Sequence, residues 1–306
     1  MKFKYYFLKA IFWLLSIIPF WFYHGFSSLI AFIFIQFKLY RYKVVINNLK
    51  IAFPEKSDNE IKKIAHRFYY HFTDLLIESI KAFTISANQI KKRWKINVTS
   101  DIQRILDEKR NIAIIMPHYS NWEWGVPSFC MMTDRNQPIG LGIYKPLKNK
   151  LMDKIMKDNR SRFPGAKLVP KNDVSKVVNK YKNDHFMLGF AADQAPHNGY
   201  SAYWMEFLGK ETGVFYGAEK FCKKLDLVPV YAHVKKLGRS KYEVDLEVIS
   251  EKPKETDYGF ITEKHMKLLE ADIKKEPYLW LWTHKRWKRS KPADYETVRR
   301  KERIKN

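Results

Sequence analysis

The 306-residue chain holds only two cysteines, Cys130 and Cys222, far apart and with no CxxC pair. Their placement excludes a disulfide framework and a structural zinc site of the usual spacing, so both read as small buried hydrophobes. Acidic residues are also scarce: 32 Asp and Glu face 56 Lys and Arg, a formal net charge of +24. A body so charged repels itself and predicts an anionic partner: nucleic acid, an anionic lipid surface or a small acidic protein. Charge alone does not choose among the three. There is no internal repeat and no low-complexity tract, and the length fits one sizeable domain or two small ones.

In excess is an apolar, aromatic-rich start. Residues 5–37 are broken only by Lys9, Pro19, His24, Gln36 and a few Ser and Gly. Roughly 20 apolar residues cross a hydrocarbon core, and this run is longer. It reads as a retained membrane anchor, either one tilted helix or two short helices kinked at Pro19 that dip into one leaflet. A cleaved signal peptide is disfavoured because no small-residue cleavage site comes after the run. The next residues are instead Phe37-Lys38-Leu39-Tyr40-Arg41-Tyr42-Lys43, a basic aromatic interface sequence. Lys2 and Lys4 flank the other end, so orientation rests on the basic remainder, which favours a cytoplasmic body.

Beyond the anchor, Ser57 and Glu60 form a capping-box pattern. Ile61, Ile64, Ala65, Phe68, Phe72, Leu75, Leu76 and Ile80 then recur at helical spacing. From residue 111 the pattern alternates. Strands are expected at 111–116, 139–144, 186–192, 228–234 and 242–249, and helices at 148–159, 173–182, 213–225 and 262–274. The fold class predicted is α/β, with a mostly parallel central sheet flanked by helices and the anchoring helix or kinked helix pair in front. In such sheets functional residues gather at strand ends.

One such end carries His118-Tyr119-Ser120-Asn121-Trp122-Glu123. Pro117 stops the strand. On a continuous helix His118 and Glu123 would lie roughly 140° apart. They meet only if the chain turns and then enters a helix capped by Ser120 or Asn121, with Glu123 in its first turn. A neutral imidazole is the usual base near pH 7, and a carboxylate on its other nitrogen fixes the tautomer. The competing reading is structural: Ser120-x-x-Glu123 is itself a capping box, and His118 a hydrogen-bonded strand-end histidine. The pattern is not HExxH and no third ligand stands near, so no metal is expected.

Other blocks extend the pattern in order. Asn47-Asn48-Leu49-Lys50-Ile51-Ala52-Phe53-Pro54-Glu55 comes after the anchor, and Tyr144-Lys145-Pro146-Leu147-Lys148-Asn149 after the motif. Next come Arg160 and Arg162, with Pro164-Gly165 adding a residue, and Asp193-Gln194 at a strand end. Phe207-Leu208-Gly209-Lys210-Glu211-Thr212 is expected to lead into a helix. The series closes on Pro277-Tyr278-Leu279-Trp280-Leu281-Trp282-Thr283-His284-Lys285-Arg286-Trp287-Lys288. With these blocks the sequence resembles the late acyltransferases of lipid A biosynthesis, in the lysophospholipid acyltransferase superfamily, over nearly its whole length.

The resemblance implies an O-acyltransferase, with residues 1–43 as anchor and interface segment and 44–306 as the acyltransferase domain. It would move a fatty acyl chain from acyl-carrier protein, or from acyl-CoA, to a hydroxyl of an anionic glycolipid, a lipid A precursor, on the cytoplasmic side of a bacterial inner membrane. No cofactor beyond that donor and no nucleic acid are expected. His118 would be the general base and Glu123 its orienting carboxylate. Arg160 or Arg162 would stabilise oxyanion or phosphate charge, and Asp193 and Gln194 would shape the site. Asn121-Trp122 departs from the family pattern and would alter the acceptor pocket. Trp282, His284 and Arg286 would be structural or phosphate-facing, but the Trp and Lys/Arg interleaving there also suits a membrane interface, the favoured reading. No serine or cysteine nucleophile stands beside His118 except Ser120, so direct transfer is expected.

A lyso-phospholipid or an amino-acid lipid would use the same chemistry as acceptor. From a different class, a non-enzymatic basic membrane protein that binds anionic lipid or nucleic acid would account for the charge and the tail Arg299-Arg300-Lys301-Glu302-Arg303. It would leave unexplained why His118 and Glu123 come directly after a buried strand.

Overall fold

Short β-branched and apolar runs build the centre of the molecule, described by a computed structural model over residues 2–132, 138–163 and 165–297. The tail from Arg299 and the added Pro164 lie outside these residues. The strands are β1 (Trp94–Asn97), β2 (Ile112–Ile115), β3 (Ile139–Tyr144), β4 (Ala166–Pro170), β5 (Phe186–Phe190), β6 (Ala202–Phe207), β7 (Lys210–Phe215), β8 (Val228–Gly238) and β9 (Lys241–Val248). Seven form one sheet in the order β1-β9-β8-β2-β5-β3-β4, parallel except for the β8–β9 pair. A parallel sheet is covered on both faces, so its strands are apolar throughout. On β2, Ala113 and Ile115 join one core, with Leu188 and Phe190, while Ile112 and Ile114 join the other, with Val228 and Val230. β9 instead alternates as expected, with Tyr242, Val244 and Leu246 buried.

The helices are α1 (Lys2–Ile17), α2 (Phe20–Gln36), α3 (Tyr42–Ala52), α4 (Asp58–Lys81), α5 (Ala87–Arg93), α6 (Ser100–Asp107), α7 (Gly125–Cys130), α8 (Lys150–Arg160), α9 (Val174–Lys180), α10 (Gly217–Leu225) and α11 (Phe260–Lys275). The predicted capping box opens α4: Ser57 accepts from Glu60 N–H and the Glu60 carboxylate accepts from Ser57 N–H. The expected helix at 213–225 begins only at Gly217, because 213–215 complete β7. Leu208 and Gly209, both at positive φ, make the tight loop of the β6–β7 hairpin, so the block 207–212 turns a hairpin rather than leading straight into a helix.

The N-terminal run is not one tilted helix. The chain bends by 103° between α1 and α2, around Ile18-Pro19, and among the described residues no single helix is long and apolar enough to cross a membrane. Proline lacks an N–H and disfavours helix in the residue before it, so the break falls there. The end of α1 is then fixed from α4: Lys81 Nζ donates to the carbonyls of Ser16 (2.6 Å) and Ile18 (2.9 Å). A cation on the orphan carbonyls of a helix end satisfies both charge and hydrogen bonding. In α2 the buried stripe is Tyr23, Ser27 and Ala31, while Trp21, Phe22, Phe26, Leu29 and Phe32 face outward.

Two substitutions separate core from cap. Ile114→Ala, in the central strand, is expected to cost about 2–5 kcal/mol. Ser57→Ala, at an exposed helix start, should cost about 1 kcal/mol. Thermal unfolding in detergent checks both; equal losses would contradict this division.

Candidate active site

β2 and β5 are neighbours with Ile115 opposite Phe190. His118 and Asp193 therefore leave the sheet in step, each three residues past that pair. The ladder extends one bond further, Met116 N–H to Phe190 O at 2.9 Å, before Pro117 ends it. The closing block returns across this edge: Leu281 N–H donates to His118 O and Ser120 N–H to Leu279 O.

These three pieces converge on one carboxylate. Asp193 Oδ1 lies 2.8 Å from His118 Nδ1 and accepts from His118 N–H at 3.1 Å. Trp280 Nε1–H donates to Asp193 Oδ2 at 2.9 Å. Burial alone would raise the Asp193 pKa, but the His118 imidazole and these hydrogen bonds reverse that and hold it well below the usual carboxylate range. An ionised carboxylate only accepts, so Nδ1 carries the ring proton and Nε2 presents a lone pair. Burial lowers the imidazole pKa, yet the Asp193 charge and hydrogen bond, with a contribution from Glu123, bring it above its ordinary value. The His118 side chain stays 20% exposed. Its Nε2 lies 3.3 Å from Gln194 Nε2, and Trp122 packs edge-on against the ring with centroids 5.2 Å apart.

Glu123 does not take the expected place on His118. Ser120 sits at φ 55°, and the chain enters a 3-10 turn over Trp122–Trp124 before α7. Asn121, not Ser120, caps that turn, its Oδ1 accepting from Trp124 N–H at 3.1 Å. The capping box at Ser120 is not formed. Glu123 points instead to Arg160 at the end of α8, which donates to it through Nε (3.0 Å) and Nη2 (2.7 Å). Planar two-point pairing suits a guanidinium and a carboxylate. Arg162 goes elsewhere: its guanidinium donates to the carbonyls of Ala82 and Ile85, where it fastens the turn after α4.

Asn121 is wholly buried and faces inward rather than toward an acceptor pocket. Its Nδ2 donates to Glu78 Oε2 at 2.5 Å, and Glu78 also accepts from Ser240 (2.7 Å) and Tyr242 (2.8 Å). The membrane-interface reading of the closing block is corrected too. Trp282 and Arg286 are buried, His284 accepts from Ala195 N–H at 3.0 Å, and Arg286 donates to Gly213 O at 2.8 Å. Within the block only Lys285 and Lys288 are fully exposed. Sequence reading missed Glu78, hidden in a helix with many exposed charges, and Trp280, one of three tryptophans in the closing block with nothing in its spacing to set it apart.

Glu78 has a pH signature. Burial raises its pKa from 4.5 to about 7, against hydrogen bonds from Ser240 and Tyr242 that lower it. A carboxyl whose folded pKa is raised holds its proton better when folded. Its contribution is therefore full below the ordinary pKa and is lost as pH rises through the folded one. The wild-type protein should lose stability between about pH 4.5 and 7 on this account. Glu78→Gln should flatten that window in unfolding measurements; an unchanged slope would remove Glu78 as its source.

Comparison with known proteins identifies the family. The family model described as "Bacterial lipid A biosynthesis acyltransferase" matches residues 2–289. The lipid A biosynthesis lauroyltransferase of Escherichia coli (strain K12) is 26% identical over 270 residues, 83% of this chain and 81% of its own. The palmitoleoyltransferase of the same strain is 21% identical over 257 residues, 81% and 79% of the two chains. A lipid A biosynthesis acyltransferase of Haemophilus influenzae is 22% identical over 270 residues, 87% and 82%. With the family model matching nearly its whole length, the chain belongs to the bacterial lipid A biosynthesis acyltransferases.

Proposed function

We propose that the protein moves a fatty acyl group from an acyl thioester, carried by acyl-carrier protein or CoA, to a hydroxyl of a lipid A precursor. The observation that carries this reading is the His118–Asp193 pair at the ends of two central strands, which occupies Nδ1 and leaves Nε2 of a partly exposed imidazole without a carboxylate. The acceptor hydroxyl gives its proton to Nε2 as its oxygen attacks the thioester carbonyl. The carbonyl becomes an oxyanion; its collapse breaks the C–S bond, and the departing sulfur takes the proton back from Nε2. Asp193 keeps Nδ1 protonated and offsets the imidazolium charge in between. Arg160 has Nε and Nη2 committed to Glu123, and among the described residues its Nη1 remains free to meet oxyanion charge. Gln194 holds the space beside Nε2 that the hydroxyl would enter. The reaction needs no cofactor beyond the donor.

The setting is a membrane surface, with the body on the cytoplasmic side of the inner membrane. An ordinary surface helix turns its apolar stripe inward. α2 does largely the reverse, burying Ser27 and Ala31 with Tyr23 and exposing Trp21, Phe22, Leu29 and Phe32. Such a face needs an apolar solvent. The bent α1–α2 pair finds it by dipping into one leaflet of the bilayer. The net charge of +24 suits both an acidic carrier protein and a phosphorylated acceptor.

Two variants test the mechanism in acyl-transfer assays. His118→Ala should lower turnover by about 10²–10⁴-fold while leaving folding and membrane association intact. Near-normal turnover would sink the assignment. Asp193→Asn should slow transfer and also move the acid limb of the kcat/KM profile to lower pH. The wild-type imidazole pKa is raised by that carboxylate, so its removal makes the base lose its proton more easily. A slow variant with an unmoved limb would contradict the pairing.

A further inference from the structure

α8 leaves the site at Arg160 and runs back toward an open cleft of about 520 Å³. Lys148, Lys150, Lys154 and Lys157 line it. On the helix, positions 150, 154 and 157 are spaced i, i+4 and i+7, which places them on one face. The two acids of the cleft are already engaged. Asp153 accepts from Leu147 N–H at 2.7 Å, and Asp158 accepts from Tyr5 OH at 2.6 Å and pairs with Lys154 at 2.9 Å. Lys148, Lys150 and Lys157 have no carboxylate partner among the described residues. Asn149 caps α8 through Leu151 and Met152 N–H, so the lysine face is rigidly carried.

The foot of α1 borders the cleft. Tyr5 holds Asp158 through its hydroxyl, and the Lys154 ammonium lies 5.0 Å from its ring centre, while Phe3 and Phe7 beside it face outward. In the proposed membrane setting the lysines therefore stand at headgroup level. At a rise of 1.5 Å per residue, Lys157 to Lys150 lie about 5–15 Å along the helix from Arg160. A substrate reaching from the cleft to His118 could place one anionic group there and its reacting atom at the imidazole.

We propose that this cleft is the binding site for a phosphoryl group of a substrate, held by Lys148, Lys150 and Lys157. The seat against α1 favours a phosphate borne by the glycolipid acceptor; the same chemistry occurs in the phosphopantetheine arm of the donor. The proposal rests on the acyl-transfer reading for its substrates.

The test compares Lys148→Gln/Lys150→Gln/Lys157→Gln in the full-length protein with a charge-matched control, Lys62→Gln/Lys63→Gln/Lys220→Gln. With a phosphorylated acceptor the cleft variant should raise KM by at least about tenfold over the control. With the same acceptor after phosphatase treatment the two should converge. A loss that instead tracks the phosphate of the donor, seen by comparing acyl-phosphopantetheine with acyl-pantetheine, supports the site and assigns it to the donor. Equal KM for cleft variant and control in both arms overturns it. Binding is read separately, in a His118→Ala background, on phosphatidylcholine vesicles with and without phosphatidic acid. Selective loss of binding to the phosphatidic acid vesicles in the cleft variant supports the site even if wild-type protein fails to acylate a lipid A precursor. Equal binding by both triple variants counts against it.

Discussion

A carboxylate taken out of water must be met by hydrogen bonds or charge, and Asp193 is met by three hydrogen bonds from two distant stretches of chain. His118 supplies a backbone N–H and a ring N–H from the end of β2, and Trp280 an indole N–H from the closing block. Neither stretch can move without leaving the buried charge short of a partner. The same requirement fixes the imidazole tautomer, since the carboxylate has no proton to give. Structure and chemistry are thus set by one desolvated group, and the parallel register of β2 and β5 brings its partners together.

The second charged pair, Glu123 with Arg160, is separate from the first but held beside it. Trp122 bridges the two, packing on the His118 ring while its neighbour Glu123 turns to α8. The 3-10 turn that makes this possible is fastened from behind by Glu78, through Asn121. Asn121 thus serves the turn's conformation with both ends of its amide, one to the helix start and one to α4.

Much of this could be read from residues alone, because it depends on local pattern. The parallel strands, the strand end at His118 and the capping box at Ser57 were legible that way, whereas Arg160, Asp193 and Gln194 came only with the family resemblance, together with Arg162 and Asn121, which turn elsewhere. Who touches whom was not. Pairing of His118 with Asp193 depends on which strands are neighbours, and β2 and β5 are separated in sequence by two other strands. Spacing along the motif favoured a His118–Glu123 contact, since it could not show that Arg160 competes for the carboxylate. The Trp-rich closing block looked interfacial because its alternation with Lys and Arg is a surface pattern. Its tryptophans instead fill the space above the strand ends, where Trp280 and Trp282 meet edge to face.

α4 links the N-terminal helices to the chemistry. Asp74 and Glu78, one turn apart, form a buried polar stripe on it. Asp74 accepts from Ser27 of α2 at 2.7 Å and pairs with Lys236 and Arg239 on the β8–β9 hairpin. Glu78 takes Ser240 and Tyr242 of the same hairpin and Asn121 of the turn before α7. An outward-facing apolar helix and the buried turn beside the candidate site therefore share one support, held by charges that are costly to separate in a low dielectric. If α2 lies in a lipid leaflet, as proposed, its angle to the surface is fixed relative to His118 by these contacts. Presentation of a membrane-bound hydroxyl to Nε2 is then a property of the helix stripe as much as of the site.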